Sequence, residues 1–180
     1  MRKFGIFAQT IFFSVLIGGF FGILHDQLTF TLSPEYFTKF KFTQFSIDPS
    51  HFGGDRQTVG VIGFFSTWWV GLFIGISLAL CGLLFYDYKE MKKSIIQSIK
   101  LILIITVVFS AAGFLYGKYH LTKTGVNWWI PDNVTKKEDF ITVGSIHNFS
   151  YIGGAAGLFV SIIFMLIKRS KQKITPQKRI

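Results

Sequence analysis

Four polar side chains, His25, Asp26, Glu35 and His147, stand apart in a chain that is half hydrophobic. Two imidazoles and two carboxylates form a donor set for zinc or another first-row divalent ion, and a carboxylate beside an imidazole can orient it as a general acid or base. His25 and Asp26 are adjacent, and His147 and Tyr151 are spaced to share one face of a helix. The spacing matches no zinc-finger or metalloprotease pattern, so convergence must come from the fold. The candidate catalytic residues are therefore His25, Asp26, Glu35, His147 and Tyr151, and the candidate metal ligands are the first four. A competing account needs no reaction: His25, Asp26 and Glu35 cap helix ends and hydrogen-bond a loop onto the rest of the molecule. In that account Ser33 caps a short helix, Pro34 occupies its first position and Glu35 complements the helix dipole.

The elements that position these residues are four apolar stretches, Phe4 to Leu24, Val59 to Phe85, Ile95 to Tyr116 and Ile146 to Ile167. At about 1.5 Å rise per residue, roughly 20 apolar residues cross a hydrocarbon core of about 30 Å. The expected fold class is all-α: a membrane four-helix bundle forming a single domain over residues 1–180. Short helical or extended pieces are expected in outer loops 25–58 and 117–145, and a basic tail at 168–180. No internal repeat is obvious. His25, Asp26 and Gln27 end the first span and His147 opens the fourth, which puts the polar set at the outer rim if those spans are neighbours. Small residues four apart, such as Gly18 and Gly22, Gly71 and Gly75, Gly113 and Gly117, or Gly153 and Gly157, let helix backbones approach closely in lipid.

Charge sets the orientation. The formal net charge of +10 falls on the segments flanking one side of the spans, with Arg2 and Lys3, Lys89 to Lys100, and Lys168 to Arg179. By the positive-inside rule both termini are cytoplasmic. The basic tail then meets anionic lipid rather than nucleic acid. Further partners are a membrane protein or a second copy of the chain. The first apolar run exceeds the core of a cleaved signal peptide and lacks its small-residue cleavage site, so an uncleaved anchor is expected. With no Asp or Glu near the middle of a span, a proton-coupled carrier is disfavoured. With Cys81 as the one cysteine, an internal disulfide is excluded.

The run His25-Asp26-Gln27-Leu28-Thr29, the segment Ser33-Pro34-Glu35-Tyr36-Phe37, Trp68-Trp69-Val70-Gly71 and the segment from His147 to Tyr151 resemble an uncharacterised family of small bacterial four-span membrane proteins. The likeness extends, element by element, over nearly the whole chain. It implies a bacterial inner-membrane setting and a four-helix fold, and it implies no activity. The residues thus point to an integral membrane protein with a polar site at the periplasmic edge of the bundle. The alternatives are a membrane-embedded metal-binding protein or enzyme using His25, Asp26, Glu35 and His147, and an oligomeric channel or transporter subunit.

Overall fold

The structure is a computed structural model and describes residues 1–172; Lys173, Lys178 and Arg179 of the basic tail lie outside the described residues. Four long helices, α1 (Arg2–Leu32), α2 (Asp55–Leu83), α3 (Tyr88–Tyr116) and α4 (Lys137–Ser170), carry the fold. Each is long and apolar enough to cross a membrane, as expected of a multi-pass membrane protein. The chain is all-α, and its loops hold short helical pieces: π-helical turns at Tyr36–Lys41 and Gly117–Leu121, and a 3-10 turn at Pro49–Phe52.

Three helix ends differ from the expected boundaries for a local reason. α1 does not stop at His25 but runs to Leu32, because the helix meets no breaker before Pro34. Proline forces its predecessor out of the helical region, and Ser33 is extended at φ −142°. Ser33 ends α1 and its carbonyl accepts from the Tyr36 N–H at the start of the next short helical stretch, but its hydroxyl is buried without a hydrogen-bond partner and caps neither. α4 starts at Lys137, well before Ile146, with Glu138 and Asp139 in its first turn facing the positive end of the dipole. α3 starts at Tyr88, where the Asp87 carboxylate accepts from the backbone N–H groups of Lys89 and Glu90.

The glycines build two close helix pairs. A Cβ on Gly22 of α1 would collide with the Gly63 carbonyl and Thr67 hydroxyl of α2, so the backbones touch there. Thr67 crosses the same seam, donating 2.8 Å to the Gly18 carbonyl. In the second pair, Gly113 of α3 faces Ser145 and Phe149 of α4, and the Ser145 hydroxyl donates to the Gly113 carbonyl at 2.8 Å. In lipid, such contacts replace the hydrophobic expulsion that drives helix association in water. The bundle is thus two hairpins, α1 with α2 and α3 with α4, packed side by side.

The hairpins run in the same sense, and their second helices repeat a sequence. Thr58, Val59, Gly60, Ile62, Phe65 and Ser66 of α2 recur in register as Thr142, Val143, Gly144, Ile146, Phe149 and Ser150 of α4. Val59, Ile62, Val143 and Ile146 are all buried and belong to one core cluster, which also contains Tyr36, Phe37 and Phe140. The repeat escapes inspection of the sequence because it is short and the partner helices α1 and α3 share little.

The start of α1, the turn between α2 and α3 and the end of α4 lie together at one end of the bundle. Lys3 and Arg169 donate to the carbonyls of Phe85 and Leu84 in that turn, and Arg2 bonds the Tyr88 hydroxyl at 3.1 Å. The Arg169 guanidinium stacks 3.6 Å from the centroid of Tyr86. This basic end is opposite the end that carries the two long loops.

Candidate functional site

The long α1 brings His25 and Asp26 inside the bundle rather than to its rim. Asp26 is only 2 % exposed and His147 6 % exposed. His147 reaches this depth because α4 begins at Lys137, which places the imidazole about three helical turns from the helix start. His25 Nδ1 lies 3.1 Å from Asp26 Oδ1, and His147 Nε2 lies 3.9 Å from the same oxygen. One donor atom from each of the three residues falls within 4.8 Å of the others. The two imidazoles meet edge to face with centroids 4.7 Å apart.

Serines and threonines hold the group. His25 Nε2 lies 2.8 Å from the Ser150 hydroxyl, which in turn lies 2.7 Å from the Ser110 hydroxyl on α3. Ser150 also donates to the Ile146 carbonyl, fixing its rotamer. Thr29 Oγ1 sits 3.4 Å from His147 Nε2 while donating back to its own helix. Of the Asp26 carboxylate, Oδ1 faces the two imidazoles and Oδ2 is buried with no hydrogen-bond partner. A buried carboxylate with an orphaned oxygen is costly unless a cation or a donor meets it.

Glu35 does not join this group. Its carboxylate accepts from the backbone N–H groups of Thr135 and Lys136, at 3.1 and 2.7 Å, and from the Thr135 hydroxyl at 2.7 Å. It therefore caps the entry to α4 from a loop distant in sequence, and hydrogen bonds from Lys136 and Thr135 hold its carboxyl below the ordinary value. The capping account is correct for Glu35 and fails for Asp26, which caps no helix end. Tyr151, one turn beyond His147, lines the same cavity as the cluster, and its hydroxyl reaches the Ser66 carbonyl at 3.4 Å. His51 and His120 are exposed in the loop segments.

An aromatic roof closes the cluster on the loop side. Tyr36 stacks on His147 with centroids 4.9 Å apart and planes 18° from parallel. Phe37 and Phe140 pack beside it at 0 % and 1 % exposure. Lys41 is buried here too, with its ammonium near the rings of Tyr36, Phe40 and Phe45. Burial pushes the Lys41 ammonium below its ordinary range, while Asp26 pulls it back up. Sequence reasoning missed Lys41, Thr29 and Ser110. Thr29 and Lys41 lie in or near the polar runs, but a lysine flanked by phenylalanines reads as a surface residue, and Ser110, inside an apolar span, carries no local signal.

Below the cluster lies a cavity of about 90 Å³, with walls from all four helices. His25, Asp26, Ser66, His147, Ser150 and Tyr151 line its polar end, and Ile17, Val70, Ile74, Ile102 and Leu103 line the rest. Such a cavity holds a few waters or a small ligand group. Two imidazoles and a carboxylate oriented by hydroxyls, with open space on one side, match the three-ligand pattern of a metal centre that keeps a position free.

Comparison of the chain with known protein families, with curated proteins and with solved structures finds no match.

Proposed function

We propose that this is a bacterial inner-membrane protein that binds a first-row divalent metal ion, zinc in the simplest case, through His25, Asp26 and His147. The observation that carries the reading is the Asp26 carboxylate: enclosed, facing two imidazoles, and left with one unbonded oxygen. Ligands of one tetrahedral zinc lie about 3.3 Å apart, given bonds of about 2.0–2.1 Å. The separations of 3.1 and 3.9 Å from Asp26 Oδ1 bracket that value, and with the three donor atoms within 4.8 Å of one another the two imidazoles must draw together to close on an ion. The ion would neutralise the buried carboxylate, and the protein hydroxyls around His25 are the outer partners that ligating histidines usually have. The fourth position faces the cavity, where a bound water or a ligand oxygen would be polarised. Orientation follows the basic end: Arg2, Lys3, the lysines at the start of α3 and Lys168 and Arg169 support placing both termini in the cytoplasm, against anionic lipid.

The test is metal analysis of detergent-purified protein after zinc loading and desalting. Roughly one zinc per chain is expected for the wild type and for Glu35→Gln, and little for Asp26→Asn, His25→Ala or His147→Ala. Zinc retention unchanged in Asp26→Asn sinks the proposal. Reporter fusions at the two ends test the orientation, and a terminus outside the cytoplasm overturns it.

A further inference from the structure

We infer that the cavity beneath the cluster binds a neutral, single-tailed lipid, whose hydroxyl head bonds Asp26 and Ser66 and whose tail leaves the bundle sideways past Ile17, Phe21 and Leu103. This goes beyond metal binding and does not depend on the ion, because the same walls are present without it.

Three residues lining the cavity, Ser14, Asp26 and Ser66, have a buried side-chain oxygen without a hydrogen-bond partner. The head is assigned to the two at the polar end, because a hydroxyl can both donate to a carboxylate and accept from a serine. In metal-free protein the carboxylate also disfavours phosphate and carboxylate heads, since like charges repel strongly in an apolar enclosure. The small volume, about 90 Å³, limits the head to a few atoms.

The tail is specified by the route. Tyr36, Phe37 and Phe140 close the loop side, so entry from that direction is blocked by packed rings. A separate groove on the bundle surface, walled by Leu16, Phe20, Leu24 and other apolar residues, shares Ile17, Phe21 and Leu103 with the cavity. Those three side chains form the wall between cavity and groove, between α1 and α3, and a tail passes from one to the other where they turn aside. A ligand already dissolved in the bilayer reaches the polar end without crossing water, and one chain follows that seam where two would have to separate the helices.

The experiment uses full-length protein in phosphatidylcholine nanodiscs, with two photoreactive probes of equal chain length, a long-chain alcohol and the corresponding alkyl phosphate, each with a diazirine near the head. Labelled residues are mapped by mass spectrometry, with and without a chelator. In chelated protein the alcohol is expected to label Val70, Ile74 or Tyr151 at least tenfold more than the phosphate. Asp26→Asn is expected to bring that ratio close to one, and Leu103→Trp, which fills the junction, to cut labelling by the alcohol tenfold. Equal labelling of the chelated wild type by both probes, absence of cavity labelling in chelated protein, or full labelling in Leu103→Trp each overturns the inference. Loss of zinc binding with labelling intact would instead count against the metal site alone. Should Leu103→Trp fail to fold, the probe ratio in Asp26→Asn decides.

Discussion

The Ser150 hydroxyl on α4 lies 2.8 Å from Nε2 of His25 on α1 and fixes which face of that imidazole looks at Asp26. Because Ser150 is also bonded to Ser110, one ring is positioned by three helices at once. Removing such an outer partner usually lowers metal affinity by about 10–100-fold while leaving the ligands in place. Ser150→Ala is therefore expected to bind zinc with the same stoichiometry and that much more weakly, as measured by competition with a chromophoric chelator. Wild-type affinity in the variant would show that His25 is oriented by something else.

Glu35 makes stability depend on pH at the loop end. Its carboxyl is held below the ordinary value of 4.5 by the Lys136 N–H and the Thr135 hydroxyl and N–H, so the folded state favours the ionised form. A group with a depressed folded pKa contributes its full stability above the unfolded value and loses it as pH falls through the folded one. The melting temperature in detergent is expected to hold down to about pH 5 and to fall below pH 4.5. Glu35→Gln should melt a few degrees lower at neutral pH and show a smaller acid-induced drop. Superimposable acid profiles for the two proteins would contradict the capping role.

Gly22 tests the seam between α1 and α2. An added side chain there meets the Gly63 carbonyl and Thr67 hydroxyl, neither of which can withdraw without moving a helix. Gly22→Val is expected to destabilise the protein by about 1–3 kcal/mol or more, as overpacking does. Gly5 has nothing within 4 Å of an added Cβ, and Gly5→Ala should be neutral or slightly stabilising. Denaturant unfolding followed by helical circular dichroism measures both.

The aromatic roof makes a prediction about chemical access. With Tyr36 stacked on it and 6 % exposed, His147 should resist diethyl pyrocarbonate while His51 and His120 react readily. Tyr36→Ala removes the ring that covers the imidazole, and modification of His147 should rise at least fivefold by peptide mass spectrometry. Rapid modification of His147 in the wild type would mean that water reaches the cluster from the loop side.

Apolar length made the helices legible in the sequence, and the glycine spacings a compact bundle, but not which helices pair closely. They did not reveal the depth of the site. His25-Asp26-Gln27 reads as the end of a span, since three polar residues in a row oppose burial. In the folded chain Pro34 decides where α1 ends, and residues from α4 accommodate the polar atoms. Glu35 and Asp26 are chemically similar and close in sequence, yet one faces the N–H groups before α4 and the other faces imidazoles. Only the bend at Ser33 separates their fates. Partners such as Ser150 and Thr135 lie far along the chain, and no local pattern identifies them.

The recurrence of the α2 segment in α4 separates packing from polarity. The valines and isoleucines that match are buried in one core in both halves, whereas His147 stands where the first segment has Gly63, and Tyr151 where it has Thr67. The imidazole is thus a feature of one half of the bundle alone, set on a helix face that its counterpart gives to a backbone contact with α1.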